Sequence, residues 1–231
     1  MKITTNEKLI KRNSNMGRIA SYIGLLVMAG SMYITFRYPQ WIIIAYVLLF
    51  AGLALSQLGL YYGNRWGRRP RPDEKIDQAL KGLDDRYALY HYSTPTRHLL
   101  VGPSGIWVIM PYYQTGQVIY ENGRWKQKGG GFFEGYKRLF FQEGLGRPDL
   151  EVPAEIQSIT KYLSKKLTDF TLPQPKAVLV FTNEKAVLDI DDAPIPTIPV
   201  AKLKETIRKT SKDQSVSPEK VKAIQDALQM L

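Results

Sequence analysis

The sequence predicts an α/β protein, a two-helix transmembrane hairpin followed by an α/β domain with a mixed central sheet. Three observations predict it. Two uncharged apolar stretches of spanning length lie within the first 60 residues of a 231-residue chain. The rest alternates short β-rich runs with segments of helical period. The positive charge is concentrated around the apolar stretches.

The first stretch runs over 19–36, its polar groups being only Ser, Thr and Tyr hydroxyls; the second runs over 41–60, with Ser56 and Gln57 its strongly polar side chains. At about 1.5 Å rise per residue, roughly 20 residues cross the ~30 Å hydrocarbon core of a bilayer. Between them Arg37, Tyr38, Pro39 and Gln40 leave room only for a tight reversal. Trp41, Tyr38, Tyr61 and Tyr62 sit at the ends, where amphipathic rings favour the interface. A cleaved signal peptide would require a shorter apolar run and no second span. Gly24, Ala29 and Gly30 in the first span, with Ala51, Gly52 and Ala54 in the second, would allow close helix approach. Neither span carries an acid or a base, so a proton relay or transport path has no residues to run on.

The charge distribution orients the hairpin. The net charge is +11, yet residues 1–72 hold ten Lys/Arg and one acid, Glu7, leaving only +2 for 73–231. Lys2, Lys8, Lys11, Arg12 and Arg18 precede the first span, Arg65, Arg68, Arg69, Arg71 and Lys75 follow the second, and Arg37 alone lies between. Positive-inside asymmetry places both termini in the cytoplasm of a multi-pass cell-membrane protein. The near-neutral remainder argues against a dedicated phosphate-binding surface, so nucleic acid is a possible but not favoured partner. The lipid bilayer is the first partner expected and an unidentified protein the second.

The expected organisation is a basic segment over 1–18, spans over 19–36 and 41–60, a Gly/Pro/Arg linker over 61–72, and the α/β domain over 73–231. The domain opens with a helix at Asp73-Glu74 bearing Ile76, Leu80 and Leu83 on one face. Strands follow over 87–92, 98–102 and 106–110, the last two joined by a Pro103-Ser104-Gly105 turn. Gln117 to Tyr120 and Arg124 to Lys126, around Gly123, predict a hairpin. A helix is expected over 152–168, with Pro153 in its first turn. Ala177 to Phe181 reads as a buried strand, so strand, helix and strand predict a parallel crossover. Helices over 200–209 and 218–230 close the chain.

His98 to Ile109, with its Gly102-Pro-Ser-Gly105 turn, followed by Gly116, resembles the nuclease-related domain family of the PD-(D/E)xK nuclease-like, or restriction-endonuclease-like, fold. The resemblance extends from Glu74 to Phe181-Thr-Asn183, about half of the chain. In active relatives an Asp stands five residues before the first Gly of the turn, and a Glu-x-Lys closes the next strand. Those positions hold Arg97, Met110 and Tyr112 here; Glu74 corresponds to the family's helical acid and is retained. A Mg²⁺ site for phosphodiester cleavage needs several anionic oxygens, which a guanidinium, a thioether and a phenol do not supply. The resemblance therefore implies a domain without its metal-binding catalytic residues and with no cofactor, serving as a binding or scaffolding module. The alternatives are a Mg²⁺-dependent nuclease with relocated acids, such as Glu74 with Glu121 or Glu134, and a nucleic-acid binder that does not cleave.

Other motifs carry less. With no cysteine, disulfides, thiolate metal sites and a Cys nucleophile are excluded, and His91 and His98 are the only histidines. His98 with Ser93, Thr94, Thr96 or Ser104 lacks the orienting acid and oxyanion hole that a serine hydrolase needs. Gly129 to Gly131 lacks the Lys-Ser/Thr of a phosphate loop and reads as a joint. The aromatic segment 132–141 that follows is expected to cover the core, or else to dip into lipid headgroups or form a partner-binding patch. Arg97, Lys137 and Arg138 are the candidate anion-binding side chains.

Overall fold

A computed structural model describes residues 1–128, 144–168, 171–190, 192–213 and 215–229. The chain is a mixed α/β protein with two long apolar helices near its N-terminus, and it divides into two compact units.

One unit holds the helices. Helix α1 (Glu7–Arg37) starts with an acid and ends with a base, both complementing the helix dipole. It begins twelve residues before the apolar stretch. A 3₁₀ turn (Pro39–Trp41) reverses the chain into α2 (Ile42–Tyr62), which ends in a π-helical turn (Gly63–Gly67). Helix therefore persists well into the expected linker. Both helices are long and apolar enough to cross a membrane. Their large side chains point outward: Leu26 is 71 % exposed, Phe36 75 % and Ile43 76 %.

What the two helices bury against each other is small. Gly17, Gly24 and Ser31 recur every seven residues in α1, continuing the step from a buried Ile10, as do Ala45, Gly52 and Gly59 in α2. A heptad of small residues keeps one seam in register and lets the backbones touch. A Cβ on Gly52 would meet Met28 Cγ at 2.6 Å and Gly24 O at 2.9 Å, so these glycines are required by space. Ser31 Oγ donates to Ala45 O at 2.7 Å. Gly30, Ala29, Ala51 and Ala54, also expected to permit approach, are exposed and lie outside the seam.

The other unit is the α/β domain, and it is discontinuous: residues 1–6 belong to it together with the chain from Pro72. The first residues, expected as part of a basic segment, form strand β1 (Lys2–Thr5), paired in parallel with β2 (Ala88–His91). The six-stranded sheet has the order β1-β2-β3-β4-β7-β9, where β3 is His98–Gly102, β4 Gly105–Tyr112, β7 Lys176–Phe181 and β9 Thr197–Pro199. β2, β3 and β4 form an antiparallel meander; β4, β7 and β9 run parallel. Gly102 leaves room for the Tyr87 ring, and Gly105 takes φ +100° after the Pro103-Ser104 turn. A three-stranded sheet, β6-β5-β8, contains β5 (Gly116–Glu121), β6 (Arg124–Lys128) and β8 (Ala186–Asp189). Its hairpin turns at Asn122-Gly123, both at positive φ, as a two-residue hairpin turn of this kind demands.

Strand alternation divides the core. On one face Leu89, Leu100, Trp107, Ile109, Val178 and Val180 meet α3 (Pro72–Leu80) through Ile76 and Leu80, and α5 (Leu203–Asp213) through Leu203 and Ile207. On the other, Tyr90, Leu99, Val108, Met110, Tyr112 and Leu179 meet α4 (Pro148–Lys166) and α6 (Pro218–Gln229). Burying Ile76 or Leu80 fully contributes about 1.5–3 kcal/mol each. Helix α4 starts four residues earlier than periodicity predicts, because Pro148 takes its first turn and the Glu151 carboxylate accepts from the Arg147 N–H at 3.1 Å. Pro153 consequently lies inside the helix, not in its first turn. Residues 200–202 form a 3₁₀ turn ahead of α5.

Candidate functional site

The polar centre of the α/β unit lies on the α3 face, at the β2–β3 hairpin. The ladder contact next to its loop is Tyr92 N–H to Arg97 O at 2.8 Å. The adjoining pair, His91 opposite His98, is then of the non-hydrogen-bonded kind, in which facing side chains approach most closely. Both imidazoles point to the same face as Leu89 and Leu100. Their exposures are 0 and 2 %.

Those rings are joined to each other and to α3. His91 Nδ1 lies 2.7 Å from His98 Nδ1, and His91 Nε2 lies 3.0 Å from Asp77 Oδ1. With Asp77 ionised and both rings neutral, one proton arrangement satisfies both contacts. His91 Nε2–H donates to the carboxylate, His98 Nδ1–H donates to His91 Nδ1, and His98 keeps its lone pair on Nε2. Asp77, His91 and His98 thus form one continuous hydrogen-bonded chain.

The loop beyond the pair is tight and polar. Tyr92 adopts φ +55°, a left-handed conformation that costs an aromatic residue on the order of 1 kcal/mol. Its ring packs edge-on against His98 with centroids 4.8 Å apart. Thr94 Oγ1 donates to Thr96 O at 2.9 Å, and the Ser93 hydroxyl is buried without a partner among the described residues. Asn6, Tyr92, Ser93, Thr94 and Pro95 line an open depression of about 550 Å³.

The expected catalytic positions do not gather here. Arg97 faces α4, its Nε 3.8 Å from Glu155 Oε1. Met110 and Tyr112 are buried in the core layer under α4, and Tyr112 stacks on Phe181 with centroids 5.5 Å apart. Glu74 belongs to α3, whose buried stripe Asp73, Ile76 and Leu80 packs on the opposite face of the sheet. The sheet thus separates Met110 and Tyr112 from the helix that carries Glu74. The residues that do face α3 are their neighbours His98 and Ile109. Beside them Lys75 Nζ donates to Thr182 O at 2.8 Å.

Glu121, a relocated acid in the alternative reading, sits at the β5–β6 turn 3.2 Å from Lys126, whose ammonium holds its carboxyl below the ordinary range. Glu134, Lys137, Arg138, Gly129 to Gly131 and the aromatic segment 132–141 lie outside the described residues. Among the described residues no three His, Asp or Glu side chains form a metal-holding group.

Sequence reasoning missed Asp77 and the partnership of the two histidines. The available signal was spacing: His91 and His98 flank one short loop, and Asp77 borders the apolar stripe of α3 next to Ile76. Compared with models of known families, with curated proteins and with solved structures, the chain matches none.

Proposed function

We propose that the chain is a membrane-anchored binding or scaffolding module, a nuclease-related-like domain of restriction-endonuclease-like descent that holds no catalytic metal. Both ends of its hairpin lie on the cytoplasmic side. One observation carries the non-catalytic reading. The sheet face under the opening helix, where metal-holding acids would be needed, is filled by the His91–His98 pair closed by Asp77. A cation entering there would have to break the buried hydrogen bonds of that pair. The descent is supported by the order of elements: an opening helix, strands around the Gly102–Gly105 turn, a helix, and a parallel strand ending at Phe181-Thr-Asn183.

Membrane anchoring rests on the outward apolar surface of α1 and α2. So large a continuous apolar area in water would drive association, whereas hydrocarbon accepts it without cost. The natural lack of cysteine makes topology directly measurable. Gln40→Cys should react with an impermeant maleimide on intact cells, and Ser215→Cys only after lysis. The reverse pattern would refute the orientation.

Divalent-metal titration and a nicking assay on full-length protein test the rest. The full chain is required because β1 completes the sheet. No Mg²⁺ or Mn²⁺ binding at micromolar concentration and no nicking are expected. Nicking abolished by Glu74→Ala would overturn the reading. Salt-sensitive DNA binding without cleavage would replace it with nucleic-acid capture.

A further inference from the structure

The helical unit contains a cationic cavity that the scaffolding role does not use. The one acid of residues 1–72, Glu7, lies 3.9 Å from Arg71. Lys11 and Arg18 have no acidic partner among the described residues. With Ser14 and Asn15 they occupy positions 11, 14, 15 and 18, one face of α1. Arg18 Nη2 is steadied by Asn15 Oδ1. This face looks onto the π-helical turn that ends α2, a widened turn of a kind often found at binding sites.

Between them lies a cavity of about 470 Å³ lined by Lys11, Ser14, Asn15, Arg18, Gly63 and Gly67. The glycines keep it open. A Cβ on Gly63 would have nothing within 4 Å, and one on Gly67 would meet only Ser14 Oγ at 3.4 Å. Four donor side chains, two of them uncompensated cations, line it, and no carboxylate does. A planar guanidinium matches phosphate oxygens, and the ammonium adds a point charge. Arg18 immediately precedes the apolar stretch that starts at Ile19, and Gly63 follows Leu60, so the cavity sits just past the apolar end of both helices.

We infer that this cavity binds a phosphate-ester anion, the headgroup of an anionic phospholipid. The inference rests on the membrane reading above for its source of ligand, but not for its chemistry. Two cations select a net-negative headgroup over a zwitterionic one, and the cavity lies at the depth where headgroups stand.

The test uses full-length protein, purified in mild detergent, stripped of lipid, and offered equal phosphatidylglycerol and phosphatidylcholine. Retained lipid is read by native mass spectrometry. Wild type should retain one phosphatidylglycerol preferentially. Lys11→Gln with Arg18→Gln should cut that preference roughly tenfold or more, given the attraction each surface cation supplies. Gly63→Leu, which fills the cavity without changing charge, should do the same, whereas Arg65→Gln with Arg69→Gln should leave most of it. An unchanged preference in Lys11→Gln/Arg18→Gln, or none in wild type, overturns the site. Displacement of the lipid by millimolar inorganic phosphate overturns the lipid as source while sustaining the anion site. Alkaline carbonate extraction of membranes separates the two readings. Release of the chain refutes anchoring; retention without lipid preference refutes the cavity alone.

Discussion

His91 and His98 face each other across the β2–β3 hairpin with their Nδ1 atoms 2.7 Å apart, so one N–H···N bond joins two buried rings. Asp77 decides which ring supplies it, by taking the His91 Nε2–H at 3.0 Å. Removing the carboxylate leaves a buried donor unsatisfied, so Asp77→Ala is expected to cost about 1–3 kcal/mol in urea unfolding of the full-length protein. The double variant His91→Leu/His98→Leu removes both partners together. It should be less destabilising than the sum of the single variants by about 1 kcal/mol, because each single leaves one ring without its bond. Additive losses would mean that the rings are not coupled.

Acids placed at Arg97 and Met110 should not create a metal site. Met110 is buried under α4 with Tyr112, Ile159 and Leu163 for company. Met110→Glu places a carboxylate in that layer with no cation beside it, an expected loss of more than about 3 kcal/mol. Divalent titration of Arg97→Asp/Met110→Glu should show no micromolar binding, since the new acids and Glu74 belong to opposite sides of the sheet. Tight Mn²⁺ binding by that variant would show that they do converge.

The helix seam discriminates among glycines that all lie within the apolar spans. Gly52→Leu drives a side chain into Met28 and the Gly24 carbonyl, whereas a Cβ on Gly30 meets nothing within 4 Å. Overpacking costs typically about 1–3 kcal/mol. Thermal denaturation in detergent should therefore drop for Gly24→Leu and Gly52→Leu and stay near wild type for Gly30→Leu. Equal effects at all three positions would refute the seam.

Strand β1 offers a positional test. Lys2 N–H donates to Tyr87 O at 2.9 Å and Asn6 N–H to His91 O at 3.0 Å. Alternation assigns the Thr4 N–H to β2 as well and turns the Ile3 N–H away from it. Thr4→Pro, which deletes a ladder donor, should raise hydrogen exchange along β2 and cost about 1 kcal/mol or more. Ile3→Pro should be milder, and a reversed ranking would contradict the register.

Burial, with Asp226 adding to it, pushes the Tyr90 phenol up to about 12 from its ordinary 10. The folded chain then keeps the proton where an unfolded tyrosine gives it up. Stability from this source is intact below pH 10 and is lost as pH rises from 10 towards about 12. Tyr90→Phe should flatten that alkaline loss relative to wild type in parallel unfolding series. An identical slope in both proteins would sink the assignment.

The sequence by itself determined what local pattern controls. Two uncharged stretches of spanning length specify the long helices, and the absence of other polar groups leaves their backbones only intrahelical bonds. Pro103-Ser104-Gly105 specifies the β3–β4 turn, the residues around Gly123 specify a hairpin, and Ala177 to Phe181 reads as a buried strand in its own right. Tertiary structure alone decided the rest. Strand side chains alternate with period two, so a one-residue difference exchanges Arg97 for His98 and Met110 for Ile109 on the face that meets α3. Counting from a turn cannot resolve that, because both faces of this sheet are apolar and buried. Nor could Lys2 to Thr5, mostly polar and set beside a long helix, announce a partner more than 80 residues away. Only the exposed edge of β2 gave that segment something to pair with.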